Sequence, residues 1–453
     1  MDTGMSATAT DLERFPTLTG AGRDILKFMR EHPCAPIYRN ESGNRLTVDD
    51  IKRVQKFERE IANQSIDWTC HTRPAWLANL VTHAYTEVPY YRSLGSVPIC
   101  FDDVPSVCRA DLAADIAQFV PDSVDVERMI NFQTTGTTGN PLLIASHPVV
   151  AACYLSYHKK ALRHVGIKLQ HGSNQVGVVL VGYQRKCFTY VSVTPTMGES
   201  GLAKINLHPD DWRDPDDRAR YLDALAPEIY TGDPLSFSEL LNLPVTTKPR
   251  ALISVGMMLA SGLKNELEAR FNAPVLDIYS LNEAGPVAVF DDALNGHLLL
   301  QPNLFIEILD EKGGVVAPGE RGEITLTGGF NFCMPLLRYR TGDFAALSQT
   351  SAGPVLRGLS GRAPVRYLTQ SGEWINNIDV THALRPYAIA QFGLHQSHKG
   401  ELTLRLAKSS LHLVSTAREA LIPIFGAQHI HVEPIAVEDK IIQYTSELDG
   451  AVL

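Results

Sequence analysis

The stretch Q-T-T-G-T-T-G-N-P at residues 133–141 decides how this chain is read. Its small residues let backbone N–H groups come close to an anion, and its threonine hydroxyls add further donors, so such a loop can wrap a polyphosphate. On its own it is equally a polar turn between two strands. Three more stretches follow it in order: Y-S-L-N-E at 279–283, R-Y-R-T-G-D at 338–343 and G-R at 361–362. A series of four such elements points to one site assembled from distant segments, which a lone loop would not.

Residues 129–132 and 142–145 read as short strands flanking the loop, and 176–183 as a buried strand with an almost continuous apolar run. Further on, A-L-I-S-V-G (251–256) reads as a strand, L-A-S-G-L-K-N-E-L-E-A-R-F (259–271) as a helix and P-V-L-D-I-Y (274–279) as a second strand. That order predicts a parallel pair joined by a crossover helix. From 304 to 347 short strands alternate with Gly-rich turns, which predicts an antiparallel or barrel-like subdomain. Residues 49–85 read as mainly helical, and the end of the chain, from Leu359, as a small α/β module.

A chain of 453 residues is too long for one compact core. The expected division is a disordered tail over 1–20, a large domain over 21–360 and a small C-terminal domain over 361–453. An apolar fraction of 44% with 20% charged residues is that of a soluble globular protein. A formal charge of −9 argues against nucleic acid as a partner, because phosphate backbones need a basic surface. No apolar run approaches the roughly 20 residues that span a bilayer. The start, M-D-T-G-M-S-A-T-A-T-D, has neither the basic nor the apolar region of a secretory signal. Seven scattered cysteines form no C-x-x-C pair and no disulfide framework, so reducing cytoplasm is the expected location.

The ordered motifs resemble the adenylate-forming superfamily of acyl- and aryl-CoA synthetases, luciferases and peptide-synthetase adenylation domains, and within it the phenylacetate–CoA ligase-like branch. T-E-V-P-Y-Y-R at 86–92 is similar to that branch's V-P-Y-Y-R, and D-V-P-S-V-C-R-A-D-L at 103–112 to its L-P-x-x-T-K-x-D-L. L-D-I-Y-S-L-N-E-A-G-P at 276–286 is similar to its Y-G-L-S-E…G-P, and M-P-L-L-R-Y-R-T-G-D at 334–343 to its P-L-I-R-Y-R-T-x-D. The resemblance covers residues 75 to 445. It implies an α/β fold whose large N-terminal domain combines parallel and mixed sheets with a barrel-like subdomain. It further implies a small C-terminal α/β domain that rotates between adenylating and thioester-forming poses. The implied activity is ATP- and Mg²⁺-dependent adenylation of a carboxylic acid, an aromatic one being expected, with release of pyrophosphate. The acyl group then passes to a thiol, either CoA or the phosphopantetheine of a carrier protein. The resemblance is compatible with a homodimer and expects no membrane or nucleic-acid partner.

Residue by residue, the resemblance assigns Thr134, Thr135, Gly136, Thr137, Thr138 and Gly139 to the triphosphate, with Thr135 among the catalytic groups. Glu283 is the candidate Mg²⁺ ligand, since that hard cation is held by one or two carboxylates plus phosphate oxygens. Tyr279 offers an aromatic face to adenine, or simply packs in the core. The resemblance also places Gly256 and Asn282 in the nucleotide pocket. It implies that Asp343 accepts both ribose hydroxyls, although an isolated T-G-D is an ordinary turn acid. Arg362 meets ribose or phosphate, while Arg338 and Arg340 stay outside the site. Lys440, in V-E-D-K, stands where the family carries a lysine that stabilises charge developing at the α-phosphate. Tyr183, Phe188, Tyr190, Met257 and Met258 are candidates for the acyl pocket, or plain core.

Three departures matter. Asn140 ends the loop where the family usually has Lys, Asn282 replaces Thr or Ser, and Ala363 and Pro364 follow the G-R in place of an acidic pair. They keep two alternatives open. One is adenylation without CoA, making an amide directly or activating an inorganic acid such as nitrite for diazotisation. The other is a non-catalytic nucleotide-binding relative.

Overall fold

Buried runs of valine, leucine and isoleucine set the centre of the molecule. The computed structural model describes residues 10–133, 142–184, 187–361, 365–436, 441–448 and 451. Strand Val176–Gly182, V-G-V-V-L-V-G, is apolar on both faces, as a strand covered on both sides must be. It lies between Ser200–Asn206 and Ile229–Gly232, parallel to both. Ala251–Val255 and Val275–Leu281 continue the parallel order, with Leu252 opposite Val275, joined by helix Ser261–Phe271. Because the chain moves to one side of Val176–Gly182 and then to the other, the strand order reverses there. In open parallel sheets ligands bind at such a reversal, outside the carboxyl ends of the strands.

The region from Leu304 onward is antiparallel, and it is hydrogen-bonded into the same 13-stranded ladder. The connection runs from Val275–Leu281 through Gly285–Asp291, Gly296–Leu299 and Gly353–Gly361 to Leu336–Thr350, which carries the R-Y-R-T-G-D motif. Four strand spacings of about 4.8 Å would hold the ends of that path about 19 Å apart in a flat sheet. Yet the Tyr279 hydroxyl lies 2.8 Å from Asp343 Oδ2. The ladder therefore curls back on itself in the manner of a barrel wall.

Strands Ile130–Gln133 and Leu143–Ser146 form an antiparallel pair with Gln133 opposite Leu143, so they bracket residues 134–141. The approach to this pair is anchored by Arg128, whose Nη2 lies 2.7 Å from Asp50 Oδ2. Asp50 also forms a capping box with Thr47 at the start of helix Val48–Asn63.

Toward the C-terminus, Ile430–Pro434, Leu402–Leu406, Phe392–Gln396 and Tyr444–Ser446 make a separate four-stranded sheet. With helices Asn377–Leu384 and Val414–Phe425 it encloses its own apolar cluster. This unit touches the large one at the start of helix Ser261–Phe271. Ser261 Oγ donates to the Arg385 carbonyl at 2.8 Å, and the Arg385 guanidinium lies 5.1 Å from the centre of the Phe290 ring. Gly262 is required there, because a Cβ would sit 2.2 Å from the carbonyl carbon of Tyr387.

One expectation needs correction. The tail expected over residues 1–20 is packed from Thr10 onward: Asp11–Arg14 is a capped helical turn, and Phe15 is fully buried in the core. The stretch read as mainly helical over 49–85 is so, as two helices, Val48–Asn63 and Leu77–Glu87, separated by an irregular segment. Trp68 fixes that segment by burying its ring against Phe305 and donating Nε1–H to the Leu304 carbonyl at 3.1 Å. All seven cysteines are free, and no helix among the described residues is long and apolar enough to cross a membrane.

Asp50 makes the fold's acid sensitivity testable. Burial pushes its carboxyl up, but hydrogen bonds from Arg128 and Thr47 outweigh burial and hold it down at about 2, against an ordinary 3.8. A depressed folded-state value means that its contribution is complete above pH 3.8 and is lost as pH falls toward 2. That contribution is about 2 kcal/mol, at about 1.4 kcal/mol per pKa unit. Asp50→Asn should therefore lower stability at pH 7 and flatten the loss between pH 4 and pH 2. Parallel acid limbs in urea titrations of the two proteins would refute this.

Candidate active site

The hairpin between Val275–Leu281 and Gly285–Asp291 turns through Asn282, Glu283 and Ala284, with Leu281 opposite Gly285. Gly285 takes a φ of +71°, and a Cβ there would meet the Phe330 ring at 2.6 Å. Glycine is thus what lets this tight turn close at the carboxyl edge of the parallel strands. The Asn282 side chain is exposed, while its carbonyl accepts from the Tyr154 hydroxyl at 3.0 Å. Glu283 is only 6% exposed.

Two motifs then serve each other. Y-S-L-N-E carries Tyr279 and Glu283, and R-Y-R-T-G-D carries Tyr339 and Asp343; each is a tyrosine followed four residues later by an acid. Tyr279 donates to Asp343 Oδ2 at 2.8 Å, and Tyr339 donates to Glu283 Oε1 at 2.9 Å. Each acid is therefore held by the other motif's tyrosine. Burial and the acceptor carboxylate push both phenols well above their ordinary value, so both remain donors. A phenol satisfies a buried carboxylate without neutralising it. The negative charge stays available to a ligand.

Arg109 approaches the same place, its Nη1 3.5 Å from Glu283 Oε1. Neither Arg109 nor Tyr339 was singled out from the sequence. The signal for Arg109 lay in V-C-R-A-D-L, where it stands at the branch's lysine position; Tyr339 sat unassigned inside R-Y-R. Arg338 and Arg340 stay out of the cleft. Buried Arg338 donates to the carbonyls of Asp102 and Val104 at 2.9 and 3.0 Å and reaches Glu307 Oε2 at 3.3 Å. Arg340 Nε donates to Glu323 Oε2 at 2.7 Å.

Asp343 lies opposite Gly361, the glycine of the G-R motif, in the ladder. Arg362 itself, the loop residues Thr134, Thr135, Gly136, Thr137, Thr138 and Gly139, and Lys440 lie outside the described residues. Gly256, at φ +79°, follows Ala251–Val255 at the same carboxyl edge, and Met257 and Met258 come next. Half-buried Tyr183 follows Val176–Gly182 two strands away, its ring 5.7 Å from that of His208. Phe188 and Tyr190 do not share this wall. Phe188 is 51% exposed, and Tyr190 opens the outermost strand, Tyr190–Thr194, with three strands between it and Met257.

Among the described residues no group of three or more His, Cys, Asp or Glu side chains could enclose a metal ion. Glu283 fits a more open arrangement. Its Oε1 serves Tyr339 and Arg109, and its Oε2 has no hydrogen-bond partner among the described residues. One carboxylate oxygen, completed by phosphate and water, is a common way to hold Mg²⁺.

The cross-brace predicts coupled stability. Tyr339→Phe strips a buried carboxylate of a donor and should cost about 1–3 kcal/mol. Tyr279→Phe, at a half-buried position, should cost less. Because both bonds tie the same two segments, the double variant should differ from the sum of the singles by about 0.5 kcal/mol or more. Strict additivity in urea titrations would mean that the two bonds act independently.

A family model described as AMP-binding enzyme matches residues 113–333. The chain is 25% identical over 346 residues to the phenylacetate-coenzyme A ligase of Escherichia coli (strain K12), covering 70% of this chain and 72% of that enzyme. It is 32% identical over 99 residues to the phenylacetate-coenzyme A ligase of Pseudomonas putida, a match spanning 21% of this chain and 23% of that enzyme. Among solved structures, 2-hydroxyisobutyryl-CoA ligase in its postadenylation state superposes with a TM-score of 0.60 at 16% identity, over 87% of this chain and 90% of that one. At that identity the likeness is one of fold.

Proposed function

We propose that this chain, which belongs to the adenylate-forming superfamily of AMP-binding enzymes, activates a carboxylic acid with ATP and transfers it to the thiol of CoA. A carboxylate oxygen of the acid attacks the α-phosphorus, and the bond to the bridging oxygen breaks. Pyrophosphate leaves and an acyl-adenylate remains. The thiol sulfur then attacks the acyl carbon, and AMP departs. The observation that carries this reading is the cross-brace, which sets Glu283 and Asp343 in one crevice at the carboxyl edge of the parallel strands.

Glu283 would offer Oε2 to Mg²⁺, which when bound offsets charge on the phosphates. Asp343 would accept ribose hydroxyls, with Tyr279 fixing its carboxylate. Residues 134–139 would hold the triphosphate, Arg362 ribose or phosphate, and Lys440 the charge that grows at the α-phosphate. The acid's body would lie toward Met257, Met258 and Tyr183. An aromatic acid suits that wall and agrees with the names of the curated relatives. The proposed division of labour is a large unit ending near residue 360 and a small unit that brings Lys440 in for the first step only.

Exchange of labelled pyrophosphate into ATP, run across a panel of acids, tests the chemistry. Arylacetic and benzoic acids should support exchange better than short aliphatic hydroxy acids, and Glu283→Gln should abolish it while leaving the melting temperature nearly unchanged. The reverse preference would remove the aromatic assignment, and silence with every acid would remove adenylation.

Lys440→Ala tests the two-step division. It should slow acyl-adenylate formation by about a hundred- to a thousandfold, the usual loss for one preorganised electrostatic donor. Thioester formation from supplied acyl-adenylate should be largely retained, because a charge present in one transition state accelerates only that step. Lys408, which matches no motif, is the control; equal small effects at both positions would leave Lys440 without a role.

A further inference from the structure

A cation already stands at the acid assigned to the metal. Arg109 Nη1 is 3.5 Å from Glu283 Oε1, the oxygen that also accepts the Tyr339 hydroxyl. The sheet sets this approach. The two-residue strand Val107–Cys108 pairs in parallel with the motif strand, Val107 opposite Tyr339 and Cys108 opposite Arg340, so Arg109 leaves the ladder beside the motif. The segment leading to it is fixed by Arg338, which donates to the carbonyls of Asp102 and Val104. The Arg109 side chain is 34% exposed and that of Glu283 is 6% exposed, so the pair is open to solvent on the arginine's side only. A guanidinium keeps its charge at any working pH.

We propose that Arg109 is a positioning residue that keeps Glu283 closed to a free divalent cation and leaves it open to one arriving with ATP. The proposal rests on the adenylating reading above. A divalent cation at Oε2 would lie on the same carboxylate as the guanidinium at Oε1. Even counting the neighbouring Asp343 carboxylate, two negative charges would then face three positive ones in a site only partly open to solvent. A nucleotide triphosphate brings the missing negative charge, and its oxygens complete the metal's shell. Metal and nucleotide would therefore enter together, and Glu283 would keep its orientation between turnovers through Arg109 and Tyr339. The consequence is an order of binding set by charge balance at one carboxylate.

Titration of the full chain with Mn²⁺, followed by the loss of free-ion electron paramagnetic resonance signal, tests this without any turnover. Wild-type protein should bind Mn²⁺ at Glu283 weakly when nucleotide-free and at least about tenfold more tightly with α,β-methylene-ATP; removing a unit charge a few ångströms from a divalent cation is worth about that factor even at the dielectric of water. Arg109→Gln should raise the nucleotide-free affinity by a similar factor, and Arg109→Lys should restore the wild-type value. Nucleotide-free binding as tight in wild type as in Arg109→Gln overturns the proposal, and so does a wild type indifferent to the analogue. The second comparison, made after subtracting Mn²⁺ bound by the analogue in a protein-free titration, needs no variant, so it can still overturn the proposal if Arg109→Gln fails to fold. Pyrophosphate exchange separates the two levels. Exchange that persists with unmoved Mn²⁺ affinities sinks this inference alone, whereas absence of both exchange and metal-dependent nucleotide binding sinks the adenylating reading beneath it.

Discussion

The reciprocal pair of phenol–carboxylate hydrogen bonds is the constraint on which the site depends. Tyr279 reaches forward to Asp343 and Tyr339 reaches back to Glu283, across 64 and 56 residues of chain. A buried carboxylate without a partner is costly. A neutral hydroxyl supplies a partner without adding charge, and at Glu283 it shares Oε1 with the nearby Arg109 guanidinium. The brace also holds the Asn282–Ala284 turn against the motif strand, and so closes the curl of the ladder.

That curl is supported from beneath by an arginine in a strained conformation. Arg338 has a φ of +45°, a region that L-residues other than Asn and Asp seldom occupy. Its guanidinium nevertheless finds two backbone carbonyls and the buried Glu307 carboxylate. Burial pushes the Glu307 carboxyl up, and the neighbouring Arg338 and Arg73 pull it back. These contacts convert a strained residue into an anchor for the short strand Val107–Cys108. One arginine of R-Y-R thus builds the platform, while the tyrosine between the arginines faces the acid.

The small C-terminal unit meets the large one through backbone as much as through side chains. Gly262 admits the Tyr387 backbone where any side chain would clash, and the Arg385 carbonyl takes both Ser261 Oγ and the Gly262 N–H. A contact of this kind is specific in geometry, and Ala390 adds apolar packing by burying itself in the core of the large unit.

The sequence by itself determined the class of fold and marked candidate site residues, Glu283 and Asp343, that belong to contiguous motifs. Strand 176–182, the crossover around helix Ser261–Phe271 and the antiparallel region after Leu304 were all legible, because apolar periodicity and glycine placement are local properties. Glu283 and Asp343 were legible for the same reason, each marked by its neighbours in the chain. Packing of residues 10–20 was not, since a four-residue helix and one buried phenylalanine carry no periodic signal. Nor could sequence separate Tyr183 and Met257 from Phe188 and Tyr190, because strand order places three strands between the outer pair and Met257. The exchange of tyrosines between motifs and the approach of Arg109 to Glu283, 174 residues away, exist only after the ladder has curled. Pattern along a chain records which face of an element is buried; which side chains share an oxygen depends on register and curvature, and those are set by the whole sheet.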